Sequence, residues 1–263
     1  AWGMLAVWDW AMQRRKAVPA FWPELPPKPG ARWPSLVAGA LIAVVVIGTF
    51  LWAYAFTRIY TEPHSRITAS RWIYANIPPN ATVSNEAWDD ALPLHLDGFS
   101  SSRYIGITMH PYAEDDPQKY IDFENGNGLI DHLDQLDYVI LSSNRVYGSI
   151  ERMPMRFPAL MNYYRTLFSG ELGFELVADF HSYPNLFGID IPDQSAEEAF
   201  SVYDHPRVLI FKKTPAYSHE RAVELITGDI AWGEVYKMWV LDVLRMPTAL
   251  RLTDAEWPVY RAA

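Results

Sequence analysis

Residues Ser35 to Phe56 read SLVAGALIAVVVIGTFLWAYAF, 22 residues without a charge. A helix needs roughly 20 apolar residues to cross a bilayer core. At about 1.5 Å per residue this run reaches roughly 33 Å. A core helix of a soluble protein rarely stays apolar on every face for so long. A cleaved signal sequence has a shorter apolar run and lies nearer the start of the chain. The stretch therefore predicts a retained transmembrane helix over 35–56, with Trp52 and Tyr54 in the aromatic belt at its far end.

The flanks orient it. Arg14, Arg15, Lys16, Lys28 and Arg32 precede the run, and Arg58, Arg66 and Arg71 follow it in a comparable window. The excess of bases predicts a cytoplasmic N-terminal side and an extracytoplasmic remainder. Charge divides the same way. Residues 1–56 carry five bases and two acids, a net +3, and the remainder carries 17 and 29, a net −12. The total of −9 argues against nucleic-acid binding, which needs a basic face. The chain has no Cys. This excludes disulfides, thiolate metal sites, a Cys nucleophile, Fe–S clusters and covalent c-type haem.

Before the span, AWGMLAVWDWAM (Ala1–Met12) is apolar and rich in Trp. It reads as an interfacial helix, or as the end of an earlier membrane helix in a longer gene product. Six Pro between Val18 and Pro34 predict a stiff connector. Four segments result: an arm with its connector over 1–34, the span over 35–56, an outer domain over 57–215 and an amphipathic helical tail over 216–263.

The outer domain alternates helices and strands. Spacing predicts helices over His64–Asn76, with Ser65 as its candidate cap, Gly128–Leu136 and Pro158–Ser169, the last stopped by Gly170. Strands are predicted over Ala81–Asn85, Tyr138–Ser142, Phe174–Phe180 and Val208–Lys212. This alternation predicts an α/β sandwich with a mostly parallel sheet. A further amphipathic helix is predicted over Glu220–Arg245. Its apolar face needs cover from the domain, a bilayer surface or a partner.

Polar residues that follow strands are the candidate ligand-binding positions, because open α/β sheets bind ligands at the carboxyl ends of their strands. The densest group is Asn85, Glu86, Asp89 and Asp90, with His95 and Asp97 nearby. Such carboxylates with a His suit acid–base work or a divalent cation. They equally suit caps and turns that bind backbone amides. Asn144 and Arg145 follow the most β-branched strand and suit a sugar, a phosphate or a hydrogen-bonded turn. The acidic run Glu114–Asp116 reads as a solvated loop or cap. Asp122–Gly128 only loosely resembles a calcium loop, lacking its spacing and distal Glu. The seven His are scattered, and no nucleophile-elbow, dinucleotide, Walker or zincin motif occurs. Neither a cofactor nor a metal is predicted.

Four stretches carry a family resemblance: His64–Leu94, Asp137–Ile150, Tyr163–Pro184 and Ala199–Lys213. With V-Y-D-H-P-x-V-x-I-F-K in the last (Val202–Lys212), they resemble the extracytoplasmic domain of large bacterial and archaeal membrane proteins. Those proteins belong with the GT-C glycosyltransferases, the class of the dolichyl-phosphate-mannose–protein mannosyltransferases. The resemblance covers roughly residues 57–213, and Met246–Trp257 resembles the segment that leads such domains back toward the membrane. It implies a polyprenyl-phosphate-sugar-dependent transferase. The catalytic acids of that class lie in the first outer loop between membrane helices. No segment here corresponds to that loop, so no catalytic residue carries over.

The reading is a non-catalytic, single-pass accessory subunit of a larger membrane complex, for which an energy-transducing assembly is one fitting host. Its partners are the bilayer and other membrane subunits, met through the span and the Trp-rich or amphipathic ends. The alternative is the ordered C-terminal part of a multi-pass glycosyltransferase.

Overall fold

The computed structural model describes residues 2–15, 33–110, 120–121, 128–196 and 198–235. In chain order the elements are α1 (Trp2–Arg15), α2 (Trp33–Thr57), α3 (Ser65–Asn76), β1 (Thr82–Glu86), β2 (Ile105–Met109), α4 (Leu129–Gln135), β3 (Tyr138–Leu141), α5 (Arg145–Ile150), α6 (Pro158–Ser169), β4 (Phe174–Phe180), β5 (Asn185–Leu186), β6 (Ile189–Asp190), α7 (Glu198–Ser201), β7 (Val208–Lys213) and α8 (His219–Thr227). They fall into two compact units. One holds residues 1–62 with 183–193, and the other holds 63–182 with 194–263.

In the first unit α2 is 25 residues long. Among the described residues it belongs to the one helical stretch long and apolar enough to cross a membrane. Most of its large side chains face outward: Leu36 is 70% exposed, Val44 68% and Phe50 72%. The helix α1 packs on it, with the Trp8 ring 3.8 Å from where a β-carbon on Gly39 would stand. The β5–β6 hairpin belongs to this unit too, and the Phe187 and Tyr54 ring centroids lie 5.4 Å apart.

The second unit is built on a five-stranded sheet of order β2-β1-β3-β7-β4. The pairs β2–β1 and β1–β3 are parallel, while β3–β7 and β7–β4 are antiparallel. Four strands thus share one direction, and β7 runs against them between β3 and β4. The mostly parallel sheet expected from the alternation is present in the strand directions, and the reversed β7 makes it mixed. A β-branched run reads alike in either direction, so the reversal leaves no mark in the sequence. Period-two alternation sorts the core. Tyr138, Ile140, Val208 and Ile210 join one buried cluster with Ile73 and Tyr74 of α3. Val139, Leu141, Leu209 and Phe211 join the other with residues of α4, α5, α6 and α8.

Two expectations about the ends of elements change. The first turn of α3 is capped by His64, whose Nδ1 accepts the Arg66 amide at 3.2 Å, and not by Ser65. The helix expected over 220–245 runs from His219 to Thr227 and is followed by Gly228. Its apolar side, with Ala222 and Ile226 buried, is covered by the domain itself. The rest of that stretch beyond Val235, the Pro-rich connector, the Glu114–Asp116 run and most of the calcium-loop-like segment lie outside the described residues.

Gly170 and Gly173 close α6 with φ of +81° and +82°. They differ in what surrounds them. A β-carbon on Gly173 would stand 2.5 Å from the Tyr217 backbone, whereas one on Gly170 meets nothing nearer than 3.7 Å. Both alanine substitutions force a left-handed backbone, which costs about 1–3 kcal/mol. Gly173→Ala adds the clash and is expected to lower the urea midpoint of the detergent-solubilised protein further than Gly170→Ala. Equal midpoints for the two variants would contradict this.

Candidate functional site

The sheet order creates the place where a site is expected. From β1 the chain goes to β2 on one side, then crosses to β3 on the other. The carboxyl ends of β1 and β3 therefore flank the switch point, the usual ligand crevice of such sheets. The crevice receives Asn85 and Glu86 from the end of β1, Asp89 and Asp90 from the loop after it, and Ser142 to Arg145 from the exit of β3. All six candidate positions thus come to one end of the sheet. They do not form one cluster, however. Successive strand residues face opposite sides. Val83 belongs to the α3 side, so Asn85 shares that face and Glu86 points to the other.

Arg66 of α3 organises the α3 side. Its Nη2 lies 2.7 Å from Asp89 Oδ1 and its Nη1 2.6 Å from Asp90 Oδ2. Its Nε donates to the Ser142 carbonyl at 3.1 Å. Asp89 also accepts the Ser143 hydroxyl and the Asp90 amide at 2.9 Å. One guanidinium therefore ties α3, the β1 exit and the β3 exit together. The two aspartates are not equivalent: the Asp89 side chain is 2% exposed and that of Asp90 67%. Between the strand and this pair, Trp88 has a φ of +77° and is 80% exposed.

Glu86 lies on the opposite face, 3% exposed, where its Oε1 accepts the Tyr164 hydroxyl of α6. Burial pushes its carboxyl up to about 8, opposed by the Tyr164 hydrogen bond and aided by Asp89. It is therefore protonated at neutral pH. Its Oε2, like Asn85 Oδ1 on the other face, is buried with no hydrogen-bond partner among the described residues. A carboxyl with this proton affinity could act as a general acid. Its burial against Tyr164, itself 4% exposed, keeps it from solvent.

Asn144 and Arg145 hold the crevice to the segment before β7. Asn144 Nδ2 donates to Ser201 Oγ at 3.2 Å, and the Arg145 guanidinium lies 5.1 Å from the centre of the Tyr203 ring. Beside them opens a cleft of about 470 Å3 lined by Asn144, Tyr147, Arg152, Gln194 and Glu198 among others. Arg152 and Glu198 pair across it at 2.6 Å. Tyr147 links this cleft to the buried acid, its ring edge-on to Tyr164 at 5.9 Å.

His95 and Asp97 take other partners. His95 meets Ser100 at 3.0 Å and Asp97 pairs with Arg71 at 2.7 Å. Among the described residues no three His, Asp or Glu side chains converge as a metal would require. The sequence reading missed Arg66, Tyr164, Ser201 and Tyr203 as parts of this end of the sheet. One signal for Arg66 was present. Arg66, Ala69, Ser70 and Ile73 form the buried face of α3, and a charged residue on that spacing asks for a buried partner.

In comparison with known proteins, no family pattern, curated protein or solved structure matches this chain.

Proposed function

We propose that this chain is a non-catalytic, single-pass membrane-anchored accessory subunit of a larger membrane complex, with its N-terminus cytoplasmic and its α/β unit on the outer side. The observation that carries the reading is α2, whose apolar side chains are exposed along its length. Water is a poor solvent for such a surface, whereas a bilayer or neighbouring membrane helices cover it. The crevice supports the non-catalytic part. Arg66 and Asp89 satisfy each other there, and Glu86, whose proton affinity is raised, is buried. An energy-transducing complex is one host consistent with a chain that brings no thiolate-bound redox centre.

A second reading has one observation in its favour. Three of the stretches that resemble the outer domain of GT-C glycosyltransferases, His64–Leu94, Asp137–Ile150 and Ala199–Lys213, supply Arg66, Asp89, Asn144, Ser201 and Tyr203 to the same end of the sheet. In that reading the unit shapes an acceptor or glycan site in a multi-pass enzyme. Several upstream membrane helices with an acidic pair in the first outer loop of the coding frame would decide for it.

The test of the first reading uses the full chain in native membranes. It should resist alkaline carbonate extraction, and external protease should reach the α/β unit but not the N-terminal arm. In mild detergent it should migrate in an assembly with integral membrane subunits in fixed stoichiometry. Release by carbonate overturns the anchor. A detergent-solubilised monomer of 30.1 kDa overturns the accessory role.

A further inference from the structure

The hairpin Pro184-Asn-Leu-Phe-Gly-Ile-Asp190 joins α2 in one unit although it lies more than a hundred residues further along the chain. Its two-residue turn places Phe187 at φ +53° and Gly188 at φ +93°. A turn with both central residues at positive φ favours Asn-Gly, and a bulky residue there is strained. The chain nevertheless puts a phenylalanine at this position and leaves it 75% exposed, with Ile189 70% exposed beside it. Water gives no return for either side chain.

The hairpin is fastened so that its tip keeps this shape. Asn185 Oδ1 accepts the Gly188 amide at 2.8 Å and Asn185 Nδ2 donates to Asp190 Oδ1 at 2.8 Å. The Pro184 carbonyl closes the base by accepting the Ile191 amide at 2.8 Å. An isolated two-stranded hairpin is marginal, so these bonds and the contact with α2 hold it.

Its level along α2 is set by Tyr54, whose ring centroid lies 5.4 Å from that of Phe187. Tyr54 stands three residues before the end of α2, where aromatic side chains sit at the membrane–water boundary. Phe50, Trp52 and Tyr54 are exposed on the same helix end, so the hairpin tip continues an apolar surface that already ends there. The only charge on the hairpin is Asp190, so no basic group draws it to anionic headgroups.

We propose that the β5–β6 tip is a second membrane contact, in which Phe187 and Ile189 enter the headgroup–acyl boundary of the leaflet at the C-terminal end of α2. The partner is the phospholipid surface itself. The inference rests on the anchor reading of α2, and its test separates the two.

The absence of Cys allows single-site labelling of the full chain. Phe187→Cys, Ile189→Cys, Val44→Cys in α2 and Glu175→Cys on exposed β4 are each nitroxide-labelled. The proteins are reconstituted into phosphatidylcholine vesicles, with and without phosphatidylglycerol. Labels at 187 and 189 should collide several-fold more with oxygen relative to a water-soluble nickel chelate than the label at 175. That ratio should be unmoved by the anionic lipid, and position 44 should lie deepest. A nickel-accessible 187 with an oxygen-rich 44 overturns the hairpin contact and leaves the anchor standing. A nickel-accessible 44 overturns both. Adding Phe187→Asn, which suits the turn and removes the ring, should move the label at 189 toward nickel. An unchanged ratio there removes Phe187 from the contact.

Discussion

Replacing Arg66 by methionine is expected to lower the stability of the α/β unit by about 3–5 kcal/mol, the usual cost of leaving a buried charge without its partner. Methionine fills much of the space, so the loss is mainly electrostatic. Asp89, 2% exposed in its side chain, would keep the Ser143 hydroxyl and the Asp90 amide but lose the guanidinium that is hydrogen-bonded to it. The Ser142 carbonyl would lose its donor as well. Asp90→Asn is the internal contrast. Its side chain is 67% exposed, and a pair so open to solvent is worth about 0–1 kcal/mol. Combining Arg66→Met with Asp89→Asn removes the unpaired charge and should recover part of the loss. Urea unfolding of the four proteins decides it. A drop of under about 1 kcal/mol for Arg66→Met would show that the clamp is not what holds the two strand exits together.

Stability should also fall as pH rises across the neutral range, and Glu86 should be responsible. The folded protein keeps the Glu86 proton up to about 8, whereas an ordinary carboxyl releases it near 4.5. Between these values unfolding releases a proton, so raising the pH favours the unfolded chain. The contribution is intact below about 4.5, declines by roughly 1.4 kcal/mol per pH unit through the window, and levels off above about 8. Glu86→Gln removes the titration while keeping an oxygen for the Tyr164 hydroxyl. Its stability should therefore lie above that of the native protein at pH 8 and show a flatter profile from pH 5 to 8. Parallel profiles for the two proteins would exclude Glu86 as the source.

The contrast between Asp89 and Asp90 shows where sequence reasoning runs out. Side by side in a loop they look alike, and both stand as candidates for one site or for caps and turns. Their difference depends on which one turns toward α3 and meets Arg66, 23 residues earlier. The Glu86–Tyr164 bond spans 78 residues, and nothing local marks either end of it. What could be read is what period and composition control. The apolar helix, β3, β4, β7 and α6 emerged with ends within a residue or two, because each is marked in its own residues, α2 by its uncharged run and the others by their apolar spacing. The strand β2 did not, because only Met109 of its five residues is buried, Gly106 interrupts it and it sits at the sheet edge. The hairpin on α2 was also missed, its two strands being two residues each.

The chain leaves the first unit at residue 62, re-enters it at 183 and leaves it again at 193. This threading governs the order of assembly. During synthesis the first unit waits for its last piece until about 120 intervening residues have been made, so its completion depends on the sheet being under way. It also governs dismantling. A single cut between 62 and 63 severs the polypeptide but yields no whole pieces, since the hairpin stays joined to the sheet. Separating the sheet unit intact would take a cut on each side of the hairpin as well.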